Sequence, residues 1–296
     1  MAAIYFDERI SDDDRRQALY QGDLFVYSPI AASQELCSLG RAMIEKAFAP
    51  VDPRMADRQL SMEETAAILA KLKPEFIHHP ECKILIPRII RELGGDPERV
   101  YFDVPRLRSA YPAHYLTSGI AYAFHPHRDT WYSAPMCQIN WWLPVFNISK
   151  QNGMAFYVDY FSSALENTSE IYNYAEWNRN SRAEAAKHVR SDTRQQPKAK
   201  RPVERQDIRL VCPPGGIVLF SAAHLHETVP NTSGVARYSI DFRTVHLDDV
   251  LAGRGARNLD ARCTGTTLRD YLRCTDMQHI PEEVARSYDG GTRPAG

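Results

Sequence analysis

Residues 213–226 read Pro213-Pro214-Gly215-Gly216-Ile217-Val218-Leu219-Phe220-Ser221-Ala222-Ala223-His224-Leu225-His226. A Pro/Gly turn launches an apolar run of strand length, and the run ends in two histidines. Outward from it the chain keeps this texture. From Val100 onward the apolar runs are short, rich in aromatic and β-branched residues, and punctuated by Pro and Gly. Strands are expected at 100–104, 119–125, 136–143, 154–159, 207–211, 216–221 and 236–246. So many short strands without intervening helices imply a mostly β sandwich or jelly roll.

The first hundred residues read as helices flanking that core. Leu36, Leu39, Met43 and Ile44 recur at helical spacing and predict a helix over 33–48. Ser61-Met62-Glu63-Glu64 has the form of a capping box and opens a helix over 62–72. A third apolar-periodic stretch covers 76–93 and stops at Gly94-Gly95. One unit is therefore expected over 1–296: helical support at 1–98, a jelly-roll core at 99–247 interrupted by an insertion at 161–206, and a C-terminal extension at 248–296 with a frayed tail from 287.

Charge adds little. Lys and Arg number 36 against 37 Asp and Glu, a formal net charge of −1, so no global field would gather nucleic acid or an anionic membrane. The apolar runs are far shorter than a membrane span, and the N-terminus lacks a basic start with a long apolar run. Six cysteines, at 37, 82, 137, 212, 263 and 274, include no C-x-x-C pair. They read as buried reduced thiols of a cytoplasmic protein. The insertion is polar in its first half, with Tyr172, Tyr174 and Trp177, and basic in its second, with eight Lys/Arg against three Asp/Glu between 182 and 205. A loop of that length is either a solvated surface or a lid over a site.

Three signals carry chemistry. Phe124-His125-Pro126-His127-Arg128-Asp129-Thr130-Trp131 contains His-x-Asp where a strand runs into a turn. Alternation puts His127 and Asp129 on one side, able to take two adjacent positions on one metal ion, with His125 a rival ligand or supporting group. Alone, such a tripeptide is weak. His226, 99 residues on, would complete a two-histidine, one-carboxylate facial site of the kind that suits Fe(II) and oxygen. Eleven residues later, Arg237-Tyr238-Ser239-Ile240-Asp241-Phe242-Arg243 sends Tyr238, Ile240 and Phe242 to one face and Arg237, Ser239, Asp241 and Arg243 to the other. On this strand alone the polar row reads as an outer face of surface charges; if it faces the inside of a barrel, the guanidinium needs an anion, and Arg237 beside the Ser239 hydroxyl makes a carboxylate clamp.

In order and spacing, His127-x-Asp129, His226 and Arg237-x-Ser239 resemble the iron(II)/2-oxoglutarate-dependent oxygenases. The run His226-Glu227-Thr228-Val229-Pro230-Asn231-Thr232-Ser233 followed by Arg237 is similar to the H-x-x-x-P-N-x-S…R signature of the phytanoyl-CoA dioxygenase-like branch. The resemblance covers roughly 100–247. It implies a double-stranded β-helix (a cupin-like jelly roll), with iron on His127, Asp129 and His226. The far carboxylate of 2-oxoglutarate would lie on Arg237 and Ser239, with O₂ as the other cosubstrate and succinate and CO₂ as coproducts. It further implies hydroxylation, with desaturation or ring formation as variants; the basic half of the insertion and the arginines before the site point to a small polar or acidic metabolite as substrate. The carboxylate at 129 speaks against halogenation, in which relatives carry a small residue there.

Other readings stay open at this point: a non-catalytic jelly-roll binding module, or a metal-dependent hydrolase or isomerase on a cupin-like barrel. Gln138 and Asn140 alternate with Cys137 and Ile139, so an inward amide pair is expected to meet cosubstrate or substrate or to satisfy itself. Arg106, Arg108 and Trp131 are the candidates for contact with a small-molecule substrate, and His224 is expected not to be a ligand.

Overall fold

The computed structural model describes residues 2–180, 187–192, 194, 196–204 and 206–291. Two antiparallel-rich sheets lie face to face, and helices cover the far side of the larger one. In chain order the strands are β1 (Ile4–Phe6), β2 (Leu24–Tyr27), β3 (Val100–Phe102), β4 (Arg106–Ala110), β5 (Ile139–Pro144), β6 (Met154–Phe156), β7 (Ile208–Leu210), β8 (Ile217–Ser221), β9 (His226–Thr228), β10 (Arg237–His246) and β11 (Leu272–Arg273). The helices are α1 (Asp12–Tyr20), α2 (Ala31–Phe48), α3 (Met62–Ile77), α4 (Pro80–Glu92), α5 (Tyr174–Asn180), α6 (Leu247–Ala252) and α7 (Glu282–Arg286).

The large sheet runs β1-β2-β8-β5-β10-β3-β11, with β4 also paired to β10; the small one runs β7-β6-β9. Its architecture is jelly-roll-like, but the chain is mixed α/β rather than mostly β. Helices of 18, 16 and 13 residues at α2 to α4 outweigh strands that mostly span three to six residues.

Alternation along the strands explains the layering. Phe25, Trp141, Leu219, Ile240 and Phe242 face α2, α3 and α4 and join Leu36, Ile44, Leu69, Leu72, Phe76 and Ile86 in one buried cluster that runs from Leu19 to Tyr288. Leu24, Trp142, Val218 and Phe220 face the other way and meet Met154, Phe156 and Leu210 of the small sheet. The expected Pro/Gly turn forms before β8. Gly215 takes φ +80, and the amide of Gly216 bonds the carbonyl of Pro213 at 2.8 Å.

Several expectations hold and several are corrected. The capping box at Ser61 and Glu64 forms in both directions. All six cysteines are buried and unpaired. The N-terminal hundred residues, however, include β1 and β2, and β2 pairs with β8 within the large sheet. Pro74 does not end α3; it sits in the last turn and forfeits one ladder bond. The strand expected over 119–125 is absent. Gly119, at φ +57, starts a short 3₁₀ turn, and the amide of Ala123 bonds the carbonyl of Thr117, so this aromatic run closes on itself. The tail is anchored as far as it is described, since Tyr288 is buried and donates to the carbonyl of Val250 at 2.7 Å. The rest of the expected fraying, at 292–296, lies outside the described residues, as does the stretch 181–186 of the basic insertion. Among the described residues no helix is long and apolar enough to cross a membrane.

Candidate active site

Two backbone segments meet at the mouth between the sheets. His127 and His226 form an antiparallel bridge, each amide bonding the other's carbonyl at 3.0 and 2.9 Å. Facing residues of a bridge project the same way, so the two imidazoles lie side by side with ring centroids 4.4 Å apart. His127 Nδ1 lies 2.8 Å from the carbonyl of His125, and His226 Nδ1 lies 3.0 Å from that of His224. A carbonyl only accepts, so both Nδ1 atoms carry a proton, which leaves the two Nε2 atoms as the positions for a metal.

Asp129 supplies the third group. Its Oδ1 lies 3.4 Å from His127 Nε2 and 4.0 Å from His226 Nε2, and the three ligand atoms fall within 4.8 Å of one another. Its Oδ2 is taken up elsewhere: Asn140 Nδ2 donates at 2.8 Å and Gln138 Nε2 at 3.3 Å. Gln138 also donates to Asn140 Oδ1 and accepts from the Tyr271 hydroxyl at 2.7 Å. The amide pair from β5 therefore holds one carboxylate oxygen and leaves the other aimed at the imidazoles. Burial alone would raise the Asp129 carboxyl, but the two imidazoles and the Arg243 guanidinium hold it well below the usual carboxylate range. Burial, with the neighbouring His127, pushes His226 down to about 4, so its ring stays neutral near pH 7. Two imidazoles and one carboxylate, each oriented by an outer hydrogen bond, fit a divalent iron ion.

The residue between the ligands fixes the turn. Arg128 is buried, donates to the carbonyls of Ala223, Tyr160 and Ser163, and lies 3.2 Å from Asp260 Oδ2. Trp131 is fully buried beneath it and donates to Asp260 Oδ1 at 2.7 Å. It belongs to a separate apolar cluster and is not among the residues that line the cavity. His125 is exposed and contributes its carbonyl only; His224 is fully buried with Nε2 3.0 Å from the carbonyl of Gly22.

The triad opens into a cavity of about 550 Å³ that Arg106, Arg108, Arg237, Asp241 and Arg243 also line. That size is ordinary for a small-molecule site. The polar row of β10 thus faces inward. Arg237 is 4% exposed, with Nη1 donating to Ser239 Oγ at 2.7 Å and Nε to the carbonyl of Asn152 at 3.1 Å. No carboxylate among the described residues is within ion-pairing distance of it. Burial, with Arg108 nearby, pushes it down to about 10. The other arginines are answered. Asp103 binds both Arg106 and Arg243, and Asp241 takes Arg108 at 2.7 Å.

Sequence reasoning missed Asp103, Asp260 and Tyr271, which reach the site from remote segments, and Lys73, a cation on α3 that lines the cavity. For Asp260 and Tyr271 the text carried no signal. For Lys73 the signal was a lysine on the helical stripe Ala70, Lys73, Pro74 and Ile77, all four of which line the cavity. The insertion supplies a wall: Tyr172, Tyr174 and Trp177 line the cavity, and Tyr172 meets Tyr132 at 5.2 Å between ring centroids.

No family model matches the chain, and no curated protein matches it. Among solved structures it is similar to EvdO2 from Micromonospora carbonacea var. aurantiaca complexed with 2-oxoglutarate, at 13% identity and TM-score 0.47 over 81% of this chain and 93% of that one. It is also similar to the non-haem α-ketoglutarate-dependent epimerase SnoN from nogalamycin biosynthesis, at 12% identity and TM-score 0.38 over 79% and 82%. A third is the non-haem monooxygenase ThoJ in its apo form, at 12% identity and TM-score 0.37 over 75% and 74%.

Proposed function

We propose that the chain is a mononuclear non-haem iron(II) oxygenase that uses 2-oxoglutarate and O₂, folded as a double-stranded β-helix of the phytanoyl-CoA dioxygenase-like kind. The observation that carries this reading is the convergence of His127 Nε2, Asp129 Oδ1 and His226 Nε2 within 4.8 Å, in a cavity that also contains an Arg237 guanidinium with no described carboxylate partner. A facial set of three protein ligands leaves positions open for a chelating cosubstrate and O₂. A buried cation beside such a site calls for an anion.

In this reading His127, Asp129 and His226 hold the iron, and Gln138 and Asn140 keep Asp129 turned toward it. Arg237, with Ser239, binds the far carboxylate of 2-oxoglutarate by charge-assisted hydrogen bonds. Bound iron with its cosubstrate supplies an oxidant able to cleave an unactivated C–H bond, with succinate and CO₂ as coproducts. The chain's own residues choose which bond. The wall of Tyr172, Tyr174 and Trp177 excludes water and limits what approaches the centre. The substrate is a small polar or acidic metabolite, and the outcome is hydroxylation.

The test is anaerobic titration of the purified chain with Fe(II) and 2-oxoglutarate, followed by O₂. A weak visible charge-transfer band that needs both additions, and succinate release that needs O₂, are expected. Absence of the band contradicts the reading in favour of a binding module. Turnover of a substrate without O₂ contradicts it in favour of a hydrolase or isomerase.

A further inference from the structure

The cavity's charges divide into those already met and those that are not. Arg106 and Arg243 share Asp103, and Arg108 is held by Asp241. Two cations remain without a described carboxylate partner: Arg237 and Lys73. Lys73 comes from α3, where Ala70, Pro74 and Ile77 give the cavity an apolar stripe broken by this single ammonium. Its Nζ donates to the carbonyl of Ile120, which leaves two further donor positions. Trp177, which also lines the cavity, contributes an indole whose buried N–H has no partner among the described residues.

From these we infer that Lys73 is the specificity-determining residue for the primary substrate, and that this substrate is an organic acid. Its carboxylate docks on the Lys73 ammonium, and its body lies between the apolar stripe of α3 and the Tyr172–Trp177 wall. The inference rests on the oxygenase reading and deepens it, because Arg237 is then committed to the cosubstrate. Arg106 and Arg108 are not the anchors, since each already faces an aspartate. Burial, reinforced by Arg108, pushes the Lys73 amine down to about 7, the behaviour of a cation short of counter-charge that an incoming carboxylate would restore. The cavity is also larger than one five-carbon diacid fills, so both acids fit together.

The test uses the full chain with Fe(II) and saturating 2-oxoglutarate without oxygen. A panel of aliphatic and aromatic carboxylic acids, each paired with its primary amide, is titrated while tryptophan fluorescence is followed, since Trp142 and Trp177 line the cavity. At least one acid should bind at least about tenfold more tightly than its amide, the scale of one charge-assisted contact. Lys73→Gln should erase that preference, Lys73→Arg should keep most of it, and neither should alter the Fe(II)/2-oxoglutarate band. A panel in which no acid outbinds its amide overturns the inference, and so does a preference that survives in Lys73→Gln. Weakened 2-oxoglutarate binding in Lys73→Gln overturns it as well, by assigning the lysine to the cosubstrate. A missing band in the wild type is a different failure and falls on the oxygenase reading itself.

Discussion

The two faces of β10 carry opposite chemistry on one strand. Tyr238, Ile240 and Phe242 are fully buried against the helices, while Arg237, Ser239, Asp241 and Arg243, alternating with them, face the space between the sheets. The first row holds the fold together through burial and tolerates no polar atom without a partner; even the Tyr238 hydroxyl is bonded to Tyr111 and Pro53. The second row places Arg237, Asp241 and Arg243 within one cavity, with Ser239 hydrogen-bonded to Arg237, and is useful only because its charges are incompletely answered. The lesson is that the same alternation which lets a strand bury one face lets it present a reactive row on the other, with the register fixed by the apolar side.

The sharpest way to break the comparison lies on the cavity side. Asp129→Ala should reduce O₂-dependent succinate release to background while the purified chain keeps a cooperative melt, because the ligand shell belongs to the reactive face. Loss of folding instead would mean that the faces are not separable. On the core side, Phe242→Ala should cost about 3–5 kcal/mol in urea unfolding, the usual penalty for emptying a fully buried aromatic site. Less than about 1 kcal/mol would show that row to be loosely packed.

How much of this could be read from the text follows from the same contrast. Alternation over 237–243 gave both faces of β10, and His-x-Asp with a distant histidine gave the three converging groups, because local geometry and chemical type suffice there. What could not be read depended on distant partners. Trp131 sits in a core cluster because Asp260, 129 residues later, accepts its N–H. Gln138 and Asn140 point inward as expected, but that they grip Asp129 Oδ2 depends on Tyr271 fixing Gln138 from the C-terminal extension. Helix α1 escaped notice because half of its buried face is charged, with Arg15 and Arg16 set against aspartates beside Leu19 and Tyr20, although Ser11 caps it. Lys73 fell one residue past the helix expected over 62–72, so that reading assigned it no face; the helix in fact runs to Ile77.

Smaller effects sharpen the comparison. Asn140→Ala removes the shorter of the two hydrogen bonds to Asp129 Oδ2 and should weaken metal affinity by about 10–100-fold in equilibrium dialysis, with the urea midpoint little changed. An unchanged affinity would reduce the amide pair to packing. The smallest effect is a pH slope. Lys73 is depressed from 10.5 to about 7 in the folded chain, so between those pH values the unfolded chain holds more protons and stability rises with pH. Lys73→Met should flatten that rise in a melting series from pH 7 to 10 by up to one proton's worth, less after solvent screening. An identical slope in both proteins would mean that the ammonium is well solvated.

The central claim is that two imidazoles, one carboxylate and one guanidinium surround a common centre. It is tested most directly by soaking crystals of the chain with Fe(II) and 2-oxoglutarate without oxygen and locating the iron by anomalous scattering. The account predicts iron bonded to His127 Nε2, Asp129 Oδ1 and His226 Nε2, with the diacid's far carboxylate on Arg237 and Ser239. Iron bound elsewhere, or a diacid that leaves Arg237 untouched, would contradict it.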